Sequence, residues 1–206
     1  MIIDFQKKEQ EQIPIENNAV DPYWFFENEI SEDLCNKIIN LSQDHWFPAQ
    51  VSNNLNDKER LDPRTRITDV CWCNEKWVFD LAWDYLETAN RNSNWNFQID
   101  SVEAMQIAKY DINGHFEYHQ DGNGFTRHSN NNKYTHNKTR KLSMSIILTD
   151  DFEGGEFEFF EKGVVKSKRG TIIVFPSYML HRVRPVTKGT RYSLVAWFNG
   201  NPFRYK

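Results

Sequence analysis

Two histidines and an aspartate stand out as possible metal ligands. His119 and Asp121 are two residues apart, and His181 lies much further along the chain. Two imidazoles and one carboxylate can form a facial triad that leaves coordination positions open and suits non-haem Fe(II). Alternate residues of a strand point to one side of a sheet, so His119 and Asp121 at a strand end can face the same interior. The spacing predicts an iron site, although a lone His-x-Asp pair is weak evidence.

An arginine follows the second histidine in a β-rich stretch. Arg191 lies shortly after His181 and directly before Tyr192 to Trp197. A guanidinium can bind a carboxylate through two parallel hydrogen bonds, so Arg191 could hold an acidic cosubstrate in the same pocket. A solvated surface position is the commoner outcome for a lone arginine.

Three further histidines are weaker candidates for ligands. His128 and His136 lie in a polar segment, and His115 precedes His119 by four residues. On a regular strand this spacing places His115 on the same face as His119 but distant along it. We therefore expect none of the three to bind the metal.

Length and charge limit the classes of function. The 206 residues are enough for one good core, and 25 Lys+Arg against 29 Asp+Glu give a net charge of −4. This balance provides no electrostatic reason for binding nucleic acid or a membrane surface. The N-terminus becomes charged before an apolar segment develops, so the prediction is a cytosolic protein with no membrane partner.

The pattern of elements divides the chain into three regions. Residues 1–20 are polar and predict an arm, and residues 21–95 predict a helical support region with short strands. In that region we expect an aromatic strand over 21–26, a helix capped by Ser31 and ending near Gln43, strands over 49–51 and 64–73, and a helix from a cap at Asn74 to about Asn90.

Residues 96–206 predict a β-rich core. Short β-type runs recur there, separated by turn residues, as is typical of a sandwich or jelly roll. One long segment, Gly122 to Thr139, is polar and starts directly after the first two candidate ligands, which favours a binding loop or lid. The fold class is therefore α+β, mainly β. The predicted strands are Phe97–Ser101, Ala104–Tyr110, His115–His119, Leu142–Leu148, Gly155–Phe160, Gly163–Lys166, Thr171–Pro176, Met179–Pro185 and Tyr192–Trp197.

Several motifs together carry a resemblance to a known family. At these residues the sequence resembles the Fe(II)- and 2-oxoglutarate-dependent dioxygenases of the prolyl 4-hydroxylase-like branch, and most of all the bacterial PKHD-type hydroxylases. The resemblance extends from about Met105 to Phe203, and more loosely back to Phe25, and implies a double-stranded β-helix (jelly-roll) core. Its motifs are Gln106-x-x-x-Tyr110, Gly114, His119-x-Asp121, Arg140-Lys141-Leu142-Ser143, Asp151-x-x-Gly154-Gly155-Glu156 and the run from His181 to Arg191.

The resemblance implies a role for each candidate site residue. His119, Asp121 and His181 would be the iron ligands. Arg191 would bind the distal carboxylate of 2-oxoglutarate, and Tyr110 would donate a hydrogen bond to it. The resemblance also places Ile147 and Phe157 along the cosubstrate pocket and Trp197 close to the metal. Ile147 is a departure, because the oxygen-sensing enzymes of animals have a tyrosine there, and collagen-type enzymes have a lysine where this chain has Arg191.

The implied reaction is hydroxylation of an unactivated C–H bond. The reaction would need Fe(II) as cofactor and would consume 2-oxoglutarate and O2. Ascorbate would be the reductant, and succinate and CO2 would be released. A proline in a protein or peptide is the first expectation for the substrate, with Gly122–Thr139 and Ser52–Thr68 as its rim. The alternatives are an oxygenase of small molecules or nucleotides, a cupin-like or lectin-like jelly roll that only binds a ligand, and a zinc hydrolase with the same ligands.

Overall fold

The computed structural model describes residues 20–43, 45–50, 62–125, 127 and 135–204. Within them the chain forms fifteen strands and two helices, so the fold is mainly β, as predicted. Almost all of the predicted arm, and the middle of the predicted loop Gly122–Thr139, lie outside the described residues. No helix in the described part of the chain is long and apolar enough to cross a lipid bilayer.

Eight strands form the larger sheet, in which all neighbours are antiparallel. Short strand β5 (Ser101–Val102) pairs with strand β15 (Arg191–Gly200) beside the main path. The order along that path is β1 (Trp24–Phe26), β12 (Ile172–Pro176), β8 (Thr139–Ile147), β15 (Arg191–Gly200), β6 (Met105–Tyr110), β4 (Asp69–Cys73) and β2 (Phe47–Pro48).

Five strands form the smaller sheet, which faces the larger one. A separate two-stranded ladder joins β14 (Val186–Lys188) to β9 (Glu153–Gly154). The order in the smaller sheet is β11 (Gly163–Val164), β10 (Phe157–Phe159), β13 (His181–Val183), β7 (His115–His119) and β3 (Arg66–Ile67).

Alternation of side chains along the strands creates two cores. Helices α1 (Glu32–Asn40) and α2 (Lys76–Asn92) cover the outer face of the larger sheet, where Phe79 and Ile38 belong to one buried cluster with Ile107. In the strands of the larger sheet, the residues that alternate with this cluster point to the opposite, inner face. They form a second cluster between the two sheets. Because this inner cluster contains residues of both sheets, it is the interior into which side chains of the site project.

Helix boundaries follow local capping in one case and not in the other. Ser31 caps α1 as predicted, because its Oγ accepts a hydrogen bond from the Leu34 amide at 3.3 Å, although the helix ends at Asn40 and not near Gln43. The predicted cap at Asn74 is wrong. Helix α2 begins at Lys76 with Glu75 at the cap position, and the Glu75 side chain makes no capping hydrogen bond.

Most of the predicted core strands overlap the observed ones but differ in their bounds: β8 begins at Thr139 and not at Leu142, and β15 continues to Gly200 and not to Trp197. Strand β7 has the predicted bounds, but the expected strand over 64–73 is divided at Thr68, so that β3 joins the smaller sheet and β4 the larger. The expected strand Phe97–Ser101 is wrong, since only Ser101–Val102 pairs there. The strand expected over 49–51 lies earlier in the chain, at Phe47–Pro48. Strand β14 was not predicted. Partners in the tertiary structure decide these short segments.

Candidate metal and cosubstrate site

The three predicted metal ligands meet at one point on the smaller sheet. Strands β7 and β13 are neighbours, and His119 lies directly opposite His181 in their register. Asp121 follows β7 and lies 3.6 Å from His119 (Oδ1 to Nε2) and 3.7 Å from His181 (Oδ2 to Nε2). Their potential ligand atoms all lie within 4.8 Å of one another. One nitrogen of each imidazole and the carboxylate can therefore bind a single ion.

Hydrogen bonds orient both imidazoles for metal binding. The Nδ1–H of His119 donates to the carbonyl oxygen of Glu117 at 2.8 Å, and that of His181 donates to the carbonyl oxygen of Met179 at 2.9 Å. A carbonyl oxygen can only accept, so each Nδ1 carries the proton and each Nε2 presents a lone pair toward Asp121. Such outer hydrogen bonds fix the ring of a ligating histidine.

The charges at this point favour a cation. Burial lowers the pKa of His181 to about 4, because the effect of burial outweighs the attraction of Asp121, so His181 is neutral near pH 7. Burial opposes ionisation of Asp121, but in acid, where a carboxyl titrates, the attraction of protonated His181 together with His119 and Arg140 overcomes it and holds the pKa of Asp121 well below its ordinary value. A carboxylate and a neutral imidazole are the forms of these side chains that metals bind.

A β-bulge in β7 shapes the surroundings of His119. His181 pairs with His119, but Val183 pairs with Phe116, so β7 has one more residue than β13 in this interval. The bulge places Phe116 and His119 on the same inner face, and their rings stack with centroids 3.5 Å apart and planes at 14°. The expectation that His115 shares the face of His119 is therefore wrong, because the extra residue reverses the alternation.

Arg191 is buried beside the same interior with an incomplete set of partners. It pairs with Tyr110 across β15 and β6, its side chain is 1% exposed, and its guanidinium carbon lies 5.2 Å from the centre of the Tyr110 ring. Nη1 donates to the Ser193 hydroxyl at 2.9 Å, whereas Nη2 is buried without a hydrogen-bond partner. Among the described residues no carboxylate forms an ion pair with it. Such a group requires an anion, because a buried unpaired cation is costly.

A cavity between the two sheets connects these features. Ser193 lines it, accepts the hydrogen bond from Arg191 and pairs with Ile147 across β15 and β8, whereas Arg191 and Ile147 are not among the residues that line it. The other predicted site residues are in the wall itself: Tyr110, His119, Asp121, Phe157, His181 and Trp197. Sequence reasoning thus selected residues that the fold brings together.

Comparison with known proteins was informative for the strand-rich half of the chain. The sequence profile of the 2OG-Fe(II) oxygenase superfamily matches residues 105–199, which include the triad and Arg191. This stretch of the chain is therefore similar in sequence to the superfamily. Its sequence is 32% identical over 107 residues to a PKHD-type hydroxylase of Idiomarina loihiensis, covering 50% of this chain and 47% of that protein. A PKHD-type hydroxylase of Synechococcus sp. strain CC9311 is 35% identical over 96 residues, covering 44% and 39%. The chain thus matches about half the length of these curated relatives, or less.

Solved structures of prolyl hydroxylases share the fold. A viral collagen prolyl hydroxylase of Paramecium bursaria Chlorella virus-1, in complex with 2OG, superposes with a TM-score of 0.62 at 20% identity, covering 87% of this chain and 97% of that one. The Pseudomonas putida prolyl-4-hydroxylase gives 0.63 at 17%, covering 87% and 93%. A Trichoplax adhaerens prolyl hydroxylase with a peptide fragment gives 0.60 at 17%, covering 86% and 83%.

Several polar atoms around the cavity lack partners within the described chain. Arg66 Nε, Gln106 Oε1 and Trp197 Nε1 are buried without a hydrogen bond, as is Nη2 of Arg191. Buried polar groups are rarely left unpaired, so their concentration around one cavity fits a polar ligand. The donor set fits the family's iron and dicarboxylate: two imidazoles and a carboxylate for the metal, a guanidinium for the anion.

Sequence reasoning missed several residues of the cavity wall. Gln106 belongs to a quoted motif, and its alternation with Ala108 and Tyr110 along β6 was a usable signal for an inward position. Phe116 gave no such signal, because the bulge that turns it inward depends on pairing with β13. The residues without a predicted role in the wall include Arg66, Gln106, Phe116, Ser145, Phe175, Val183, Ser193 and Val195.

An ion pair supports the metal ligand and Trp197 from one side. Arg140 donates to both carboxylate oxygens of Glu103 at 2.7 Å, and its guanidinium carbon lies 4.1 Å from the centre of the Trp197 ring. Its Nη1 also donates to the carbonyl oxygen of Asp121 at 3.4 Å. This arrangement restrains the backbone of Asp121 and the plane of the Trp197 indole together.

Proposed function

We propose that the protein is an Fe(II)- and 2-oxoglutarate-dependent dioxygenase that hydroxylates an unactivated C–H bond. The observation that carries the proposal is the pairing of two features across one interior. A three-residue metal site lies on the smaller sheet, and a buried guanidinium without an anion lies on the larger one. One keto acid can bind the metal at one end and a cation at its far carboxylate only if the metal site and the cation lie on opposite sides of a shared interior.

Each residue of the site has a defined part in the proposal. His119, Asp121 and His181 hold Fe(II), and Arg191 with Tyr110 holds the distal carboxylate of 2-oxoglutarate. Ile147 and Phe157 pack along the cosubstrate, and Trp197 stands beside the metal, where its free Nε1–H can donate. When bound, the iron and 2-oxoglutarate supply an oxidant made from O2, with succinate and CO2 as products. The chain positions the reactants and keeps water out.

We assign the strands of the core to a double-stranded β-helix. The chain passes between the two facing sheets as it runs from β6 to β15, and β6, β15, β8 and β12 are adjacent in one sheet while β7, β13, β10 and β11 are adjacent in the other. This order supports a jelly roll as the core, over 96–206, with 21–95 as its support and 1–20 as an arm.

A proline in a protein or peptide is the proposed substrate. Three findings support it: the PKHD-type relatives, the structural neighbours that are prolyl hydroxylases, and the neighbour that is in complex with a peptide. The proposed reaction releases succinate and CO2 and uses ascorbate to keep the iron reduced. The cytosolic location stays a prediction.

Production of succinate tests the reaction. Purified protein is incubated with Fe(II), ascorbate, O2 and 2-oxoglutarate, with and without a panel of proline-containing peptides. We expect succinate to form only with Fe(II), to increase with a suitable peptide, and to fall at least about 100-fold in His119→Ala, since that change removes a metal ligand. A protein that binds Fe(II) and 2-oxoglutarate without forming succinate would instead be a binding jelly roll.

A further inference from the structure

A second arginine faces the cavity from the smaller sheet. Arg66 lies in β3, the edge strand, and pairs with Phe116 of β7. It lines the cavity together with the three metal ligands. Arg191 is buried in the larger sheet and donates a hydrogen bond to Ser193, which lines the same cavity, so one guanidinium lies in each sheet near this interior.

Aromatic stacking fixes the guanidinium of Arg66 close to the metal site. Its carbon lies 4.4 Å from the centre of the Phe116 ring, and the imidazole of His119 stacks on the same ring with centroids 3.5 Å apart. At these separations the guanidinium and the imidazole have no room on one face of the phenyl ring. Arg66, Phe116 and His119 therefore form a three-layer stack, which places the cation within two ring spacings of a metal ligand.

The guanidinium of Arg66 has unused hydrogen-bonding capacity. Its Nε is buried without a partner, and no acidic side chain among the described residues forms an ion pair with it. The contrast with Arg64, two residues earlier, is clear, because Arg64 is bound by the Asp62 carboxylate through Nε and Nη2 and its side chain is 89% exposed. Arg66 is thus held in place and open to an anionic ligand.

We propose that Arg66 binds an anionic group of the substrate that is to be hydroxylated. The enzyme would then select a substrate with a carboxylate near the C–H bond that it hydroxylates. This rests on the proposed function, in which Arg191 is occupied by 2-oxoglutarate. Arg191 is almost fully buried behind Ser193, whereas Arg66 is half-buried on an edge strand, where a second ligand can enter. Two cations on facing sheets then hold two different acids.

Matched peptides provide the probe. Capped pentapeptides with a central proline carry either Glu or Gln at each flanking position in turn, and N-acetylproline is compared with its amide. Binding to the anaerobic Fe(II)–2-oxoglutarate protein is measured by calorimetry, so the readout does not depend on turnover. We expect at least one acidic ligand to bind about tenfold more tightly than its neutral partner, because a charge-assisted hydrogen bond exceeds a neutral one.

Variants connect that preference to Arg66. Arg66→Gln should remove the preference without changing the affinity for 2-oxoglutarate, and Arg66→Lys should retain part of it. Arg66→Glu should reverse it, favouring peptides with Lys over those with Gln. Arg64→Gln is the matched control and should bind as the unmodified protein does. Melting temperatures confirm that each variant is folded.

Two results would overturn the inference. One is that no acidic ligand binds better than its neutral partner. The other is that Arg66→Gln weakens 2-oxoglutarate binding and keeps the peptide preference, which would assign Arg66 to the cosubstrate. Failure of the proposed function looks different: no Fe(II)-dependent succinate forms, with or without peptide, while the calorimetric comparison still reports on Arg66.

Discussion

At the scale of single residues, the site is a set of buried groups held in the forms that bind a metal and an anion. His181 is neutral, Asp121 is ionised although buried, and Arg191 lies in the interior with one donor group unused. Each is restrained by a hydrogen bond within the chain: His181 by the Met179 carbonyl oxygen, the backbone of Asp121 by Arg140, and the Arg191 guanidinium by the Ser193 hydroxyl. Their arrangement leaves them free to bind ligands without rearrangement.

The most direct prediction at this scale concerns Arg191→Gln. Loss of a charge-assisted pair to a carboxylate should weaken 2-oxoglutarate binding by about 30- to 100-fold, that is about 2–3 kcal/mol. Affinity for Fe(II) or Mn(II) should stay unchanged, because Arg191 does not contact the triad. Anaerobic titration with 2-oxoglutarate measures the effect. Arg184→Gln serves as the control, since Arg184 pairs with Glu158. Equal affinities in Arg191→Gln and the original protein would disprove the cosubstrate assignment.

At the scale of elements, strands β10 and β13 are joined by side chains as well as by backbone hydrogen bonds. Glu158 lies opposite Arg182 and accepts hydrogen bonds from Arg182 Nε at 2.5 Å and from Arg184 at 2.9 Å. These bonds, with that of Arg184 first, lower the pKa of Glu158 to about 2. Since β13 carries His181, this cluster supports the strand that presents a metal ligand.

A dependence of stability on pH follows. The pKa of Glu158 is lower in the folded than in the unfolded state, so its contribution is present above about pH 4.5 and is lost as the pH falls toward 2. We expect Glu158→Gln to reduce the free energy of unfolding by about 1–2 kcal/mol at pH 6, and by less at pH 3.5, because solvent screens part of the pair.

Denaturation with urea at the two pH values measures this difference. Glu153→Gln is the control, because Glu153 pairs with Lys188 at an exposed position and should matter by only a few tenths of a kcal/mol. If the difference between Glu158→Gln and the unmodified protein did not shrink on acidification, the ion pair would not be its cause.

At the scale of the whole molecule, one ion would join segments that are distant in sequence. His119 and Asp121 belong to the end of β7 and His181 to β13. A metal that binds only the folded state at 100 times its dissociation constant adds about 2.7 kcal/mol to the free energy of unfolding. For a chain of this size the melting temperature should rise by about 5–10 °C.

Thermal unfolding with and without Mn(II) tests that linkage. His119→Ala should abolish the rise, whereas His115→Ala should keep it, because the bulge directs His115 away from the site. A rise that persisted in His119→Ala would place the stabilising ion elsewhere.

The sequence by itself determined which residues are candidates for the site, and the character of the core. His119, Asp121, His181 and Arg191 were selected because they occur with several other motifs in an order that resembles one family. The same local information predicted the cap at Ser31 and the bounds of β7, where side-chain alternation and capping act over a few residues.

Only the tertiary structure decided which faces the side chains take and which short segments pair. The bulge in β7, which brings Phe116 onto His119 and turns His115 away, exists because β7 pairs with a strand one residue shorter in that interval. The division of the predicted strand at Thr68 follows from two different sheets on either side of it. The position of Arg66 in the site could not be predicted from the sequence for the same reason. Its position next to the metal site depends on contacts between residues far apart in the chain, which local pattern does not encode.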